Sequence, residues 1–250
     1  MQYLALGLPI ACFFGLVAIM LTGENVSLFY DLNALSGAHP LLWQNITFMG
    51  DTLFAYGVLA LFIHKQPRMM ATAIVTILLG FVIIHGLKNG FDIRRPAGVL
   101  DTDTFTILGQ VLRHSAFPSG HSATVFAFAA VISLYYRQHR WLVMVLIVAA
   151  SLVALSRVIV GAHWPADIFF GAGLGWLCGL LGYNLTKDKQ WPSGQLFQRT
   201  FAVLSLIAAV ALFFHHGGYP EVHRFAQISA VVFALFWLRF TLNVFNRALP

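Results

Sequence analysis

Trp141-Leu-Val-Met-Val-Leu-Ile-Val-Ala-Ala-Ser-Leu-Val-Ala-Leu-Ser-Arg157-Val-Ile-Val160-Gly-Ala-His163-Trp-Pro-Ala-Asp167 is an apolar run that ends in an arginine, a histidine and an aspartate. A helix needs about 20 mostly apolar residues to cross a bilayer, and Trp141 to Val160 supplies them. Ionisable groups are costly beside lipid, so a cluster at the end of such a run points to function.

The same pattern recurs along the chain. Further apolar runs are Leu4–Leu21, Ile46–Ile63, Met70–Leu87, Ser119–Tyr136, Ile168–Leu185, Phe201–Phe214 and Ala226–Phe245. With Trp141–Val160 they predict an all-α, polytopic membrane helix bundle of eight spans, with six as the smaller alternative. Composition agrees: the 250 residues are 59% hydrophobic and 10% charged, with a mean hydropathy of +0.78. Soluble domains carry about 25% charged residues. The chain reads as one membrane domain over residues 1–250, without a soluble domain, linker or internal repeat. Met1 to Leu21 lacks the basic start of a secretory signal and reads as a retained first span.

The net charge of +6 does not suggest nucleic acid, because the basic residues form no run or stripe. Cys12 and Cys178 lie inside apolar runs and read as packing residues, not as a disulfide. Trp141, Trp176 and Trp191 read as anchors at the membrane interface.

Loop cations suggest an orientation, since cytoplasmic loops are enriched in Lys and Arg. With the N-terminus inside, Lys65, Arg68, Arg137, Arg140, Lys187, Lys189, Arg199 and Arg247 are cytoplasmic. Lys88, Arg94, Arg95, Arg113, Arg157 and Arg224 then face the periplasm or exterior. Alternating spans bring three polar motifs to that one face.

The first motif is Lys88-Asn-Gly-Phe-Asp-Ile-Arg-Arg95-Pro96. Lysine offers a point charge and arginine a planar fork for two phosphate oxygens. Taken alone it equally fits a basic helix flank. The second is Pro118-Ser119-Gly120-His121, which opens a span. Ser119 suits an N-cap, and Gly120 admits a ligand close to the free N–H groups of a helix start. His121 there can donate a proton to a leaving oxygen. The third is Ser156-Arg157-x5-His163-x3-Asp167. A helix starting near Pro165 puts His163 beside Asp167, which orients an imidazole for attack. A satisfied buried His–Asp pair is the plainer alternative. Two histidines and one aspartate make a weak zinc set. Asp51 and His85, in or near spans, read as groups in interhelical or interfacial hydrogen bonds.

In that order and at those helix boundaries, the three motifs resemble the type 2 phosphatidic acid phosphatase superfamily, PAP2, and its membrane-embedded bacterial lipid phosphatases. The resemblance covers roughly Phe54 to Leu185. It implies a six-helix catalytic core, about residues 46–185, with two further helices at the C-terminus.

The resemblance also implies roles. His163 would be the nucleophile of a phosphohistidine intermediate, Asp167 its orienting group and His121 the general acid. Lys88, Arg95, Arg157, Ser119 and Gly120 would hold the phosphoryl oxygens. No metal or cofactor is implied.

The expected substrate is a phosphorylated membrane lipid: undecaprenyl pyrophosphate, phosphatidylglycerophosphate, phosphatidic acid or a lipid A phosphate. The expected location is the inner or plasma membrane, with the site facing the periplasm or exterior. A lipid phosphotransferase and a non-catalytic lipid or anion transporter are the alternatives. The oligomeric state is not legible.

Overall fold

A computed structural model describes residues 2–63, 66 and 68–246. Lys65 and Arg247, two of the cations used to orient the chain, lie outside the described residues. In lipid every backbone polar group has to be satisfied within its own segment, so the apolar runs become helices. They are α1 (Gln2–Thr22), α2 (Asn25–Asn33), α3 (Pro40–Phe48), α4 (Thr52–Val58), α5 (Met69–Phe91), α6 (Pro96–Val99), α7 (Gly120–Tyr135), α8 (Arg140–Ile159), α9 (Pro165–Thr186), α10 (Gln195–Phe214) and α11 (His223–Phe245). Among the described residues there is no β-strand.

Among the described residues, five helical stretches are long and apolar enough to cross a membrane: Met69–Val99, Arg140–Ile159, Pro165–Thr186, Gln195–Phe214 and Pro220–Phe245. A sixth candidate is the pair Leu6–Thr22 and Asn25–Gly37, bent by 108°. Among the described residues that makes five or six spans by length and composition, nearer the alternative of six than the count of eight.

The run Ile46–Ile63 breaks between α3 and α4. Asp51 takes an extended conformation there, and its carboxylate accepts from the Leu53 N–H, which starts a new helix. Hydropathy averages over such a cap. The run from Ser119 gives only the 16 residues of α7, most of them buried by neighbouring helices. Trp176 also departs from expectation. It is 2% exposed, packed in the bundle interior rather than at an interface, whereas Trp141 and Trp191 are exposed.

Helices α7 and α9 run in the same direction and α5 runs opposite to both. At one end Thr72 of α5 bonds Tyr135 of α7 at 2.8 Å and Thr186 of α9 at 2.6 Å. At the other end lie Lys88, the Ser119 N-cap and Asp167. All three motifs consequently meet at one end of the bundle.

Close approach of α7 and α9 depends on Gly171, Gly175 and Gly179, spaced one turn apart. A Cβ on Gly171 would sit 2.6 Å from the Ser119 carbonyl oxygen, and one on Gly179 would sit 2.8 Å from that of Ala127. At Gly175 it would overlap the Ala123 carbonyl. Small residues at this spacing let helix backbones touch, which is a main source of affinity between helices in lipid. Because backbone, not a flexible side chain, opposes the added carbon, Gly175→Val should destabilise the protein by on the order of 3 kcal/mol. Thermal unfolding in detergent measures this, and an unchanged transition would refute the packing argument.

The C-terminal hairpin, α10 and α11, covers the short α4. Tyr56 bonds Ser205 at 2.9 Å and stacks on Trp237, while Gly57 leaves room for the Phe233 ring. Trp237 is fully buried in this contact.

Candidate active site

The third motif folds back on itself at Gly161. Its φ of +79° is a left-handed conformation, and a Cβ there would lie 2.5 Å from the Thr106 carbonyl. Glycine alone meets both demands. The turn lets the His163 N–H reach the Arg157 carbonyl at 3.1 Å, so His163 and Arg157 enter the same interior. Pro165 then starts α9, with the Asn25 side chain accepting from the Ala166 N–H at 3.0 Å.

His163 is 2% exposed. Its Nδ1 lies 3.2 Å from Asp167 Oδ2, which also accepts from the Trp164 N–H at 2.9 Å. Its Nε2 lies 3.1 Å from Nη1 of Arg95. A guanidinium has only donors, so Nε2 has to be the acceptor and Nδ1 carries the proton donated to Asp167. The pair therefore holds a neutral imidazole with its Nε2 lone pair aimed at a cation. Burial first, then Arg95, Arg157, Lys88 and His121, holds this imidazole well below its ordinary value of 6.5.

Arg95 is clamped by backbone carbonyls: Nε donates to His114 at 2.8 Å, and Nη1 also donates to Ala162 at 3.0 Å. Lys88 Nζ donates to the Ser115 carbonyl at 2.6 Å. The stretch 113–116, just before the second motif, is thus what presents the first motif's cations. Trp164 Nε1, bonded to the Arg94 carbonyl at 2.9 Å, ties the first motif to the third.

Asn33, 3% exposed, is a further tie. Its amide donates to the Thr106 and Ile159 carbonyls, and its oxygen accepts from the Thr106 N–H.

The second motif starts α7, with Ser119 as the expected N-cap. Ser119 is fully buried, its Oγ accepts from the Ser122 N–H and hydroxyl, and its N–H donates to the Asp167 carbonyl at 3.1 Å. A Cβ on Gly120 would meet nothing within 4 Å, so space lies open at the helix start. His121 Nε2 is buried without a hydrogen-bond partner.

Beside these groups is a cavity of about 250 Å³. Asp51, Lys88 and His121 line its polar end, and Ile77, Phe81, Ile84 and Phe128 are among its apolar walls. Asp51 pairs with His215 at 2.9 Å, a bond between two elements as expected, whereas the bond of His85 goes to the Phe81 carbonyl of its own helix.

All eight residues singled out from the sequence therefore gather at one end of the bundle. Arg157 is held by side chains from outside the three motifs: both bonds of its Nη1 go to Thr47 and Tyr219. Neither residue carried a motif signal. Gly217-Gly218 and Pro220 marked Tyr219 only as part of a turn.

Geometry of this kind can bind a phosphoryl group among cations, attack it with a neutral imidazole and protonate the leaving oxygen. The PAP2 superfamily profile matches residues 69–191, which include all eight of these residues. The chain belongs to the PAP2 superfamily.

Among PAP2 relatives, lipid A 1-phosphatase of Rhizobium johnstonii is 33% identical over 139 residues, 50% of this chain and 54% of that protein. The chain thus spans about half the length of that relative. The putative undecaprenyl-diphosphatase YbjG of Escherichia coli is 26% identical over 188 residues, 72% of this chain and 90% of that protein. The crystal structure of Aquifex aeolicus LpxE superposes with a TM-score of 0.57 at 28% identity, over 64% of this chain and 94% of that one. Helices α10 and α11 begin after the matched PAP2 residues end.

Proposed function

We propose that this integral membrane PAP2 protein is a lipid phosphatase that cleaves a phosphomonoester or pyrophosphate through a phosphohistidine. The observation that carries the reading is His163, fixed between Asp167 and Arg95 with Nε2 unprotonated. His163 Nε2 attacks phosphorus as the bond to the leaving oxygen breaks, and His121 gives that oxygen its proton. His121 is protonated once the negative charge of the bound phosphate offsets the burial and cations that disfavour its charged form. Water then attacks the phosphoenzyme, His121 takes the water proton, and the P–N bond breaks to release inorganic phosphate. Lys88, Arg95, Arg157, the Ser119 hydroxyl and the Gly120 N–H stabilise the charge on the phosphoryl oxygens. Asp167 stabilises the positive charge that grows on His163.

The lipid sits with its phosphate at the polar end of the cavity and its chains toward the apolar walls. We place the protein in the inner or plasma membrane with the site facing the periplasm or exterior, and treat residues 1–250 as one domain. A reporter fused at Asp101 tests the side; cytoplasmic signal would overturn it.

The function is tested with purified protein and four lipids: phosphatidic acid, phosphatidylglycerophosphate, undecaprenyl pyrophosphate and lipid A. Release of inorganic phosphate from at least one is expected. No release from any would overturn the reading, and transfer of phosphate to an added lipid without release would favour a phosphotransferase.

The depressed His163 pKa has a testable sign. A nucleophile of lowered pKa stays neutral as pH falls through 6.5, so its protonation limits kcat/KM only at lower pH. Removing the adjacent cation in Arg95→Gln raises that pKa. The acid limb of the profile should then move to higher pH, whatever the absolute rate. A limb that stays put or moves to lower pH would contradict the electrostatic argument.

A further inference from the structure

We infer that the turn between α10 and α11 completes the phosphate clamp, with Tyr219 and Thr47 positioning Arg157 so that its Nε edge faces the phosphoryl oxygens. This deepens the phosphatase reading and rests on it for the identity of the anion.

Nη1 of a guanidinium carries two hydrogens. In Arg157 both are used, one by Thr47 Oγ1 and one by Tyr219 Oη, each at 2.7 Å. Arg157 is 4% exposed, Thr47 is fully buried and Tyr219 is 5% exposed. Nε of the same side chain is buried and has no partner. A buried donor without an acceptor is costly, and a charged one more so. A phosphoryl oxygen satisfies it. The two acceptors hold one corner of the planar fork and thereby leave the Nε edge for the ligand.

Tyr219 is itself fixed. The left-handed Gly217 and Gly218 precede it, with φ of +59° and +86°. Its ring lies against Gly109, where a Cβ would come within 2.5 Å of ring atoms. The ring also lies under the Arg157 guanidinium, 6.0 Å from its centroid. Tyr219 lies beyond the residues matched by the PAP2 profile, so the C-terminal hairpin contributes to the site as well as covering α4.

Tyr219→Phe keeps the ring and removes the acceptor. The probe is orthovanadate, a mimic of the phosphoryl group in its transition state, measured by inhibition and by stabilisation of the purified protein against heat. Tyr219→Phe is expected to weaken orthovanadate binding about tenfold, as fits the loss of a hydrogen bond to a charged group. It should lower kcat/KM similarly, and it should also lower the unliganded unfolding temperature, because one Nη1 hydrogen of the buried Arg157 is left unpaired. Thr47→Val should act in the same direction.

In an Arg157→Ala background, Tyr219→Phe should have no further effect, because the side chain it positions is gone. An equal loss in that background, or wild-type vanadate affinity in Tyr219→Phe, would overturn the inference. Failure of the phosphatase reading is seen separately. The wild type would then release no phosphate from any lipid, while vanadate binding would still decide whether Tyr219 positions Arg157.

Discussion

His163→Ala should lower lipid phosphate release by roughly 10⁴-fold or more, as removal of a nucleophile that forms a covalent intermediate does. The side chain is almost fully buried, so the substitution also opens a small cavity. His163→Gln fills that space without supplying a nucleophile and is expected to be equally inactive. Both variants should retain binding of inorganic phosphate, because Lys88, Arg95 and Arg157 are intact. Labelled phosphate should be trapped on the wild type after acid-free quenching and on neither variant. Retention of full activity in His163→Gln would remove the nucleophile assignment.

Asp167→Asn is the second large effect, and its cause differs. Oδ2 accepts from both the His163 Nδ1–H and the Trp164 N–H. An asparagine can place its carbonyl oxygen at that position and keep both bonds. What it cannot keep is the negative charge. When Nε2 bonds to phosphorus, His163 becomes cationic within a cluster that already holds Arg95, Arg157 and Lys88. Losing the counter-charge at that moment should lower turnover by about 10²–10³-fold, the scale of one preorganised electrostatic contact. Asp167→Ala loses orientation as well and leaves the Trp164 N–H unpaired, so it should be worse than Asp167→Asn. Asparagine activity within a few-fold of wild type would mean that Asp167 orients the ring and does nothing electrostatic.

Most of the catalytic assignment rests on local spacing. His163 and Asp167 are four apart with Pro165 between them, so one helix start brings them together. Ser119 before an apolar run could be read as a cap for the same reason. The break at Asp51 was hidden, because an aspartate within an apolar run reads as a buried polar group until its side chain is seen accepting from the Leu53 N–H. The glycines at 171, 175 and 179 were legible in principle, being one turn apart on an apolar run. What they pack against was not.

The sequence by itself determined that the chain is a helical membrane protein with three polar motifs at helix ends, and it named the residues that could handle a phosphate. Those properties depend on composition, hydropathy and contacts within one turn of chain. Only the tertiary structure decided that α7 touches α9 backbone to backbone, that two runs form shorter helices than their hydropathy suggests, and that Arg95 lies on Nε2 of His163. It alone brought Thr47 and Tyr219 to the same nitrogen of Arg157. Each of those contacts joins segments far apart in sequence, and nothing in the local pattern around either partner specifies the other. Their meeting is set by how the helices pack.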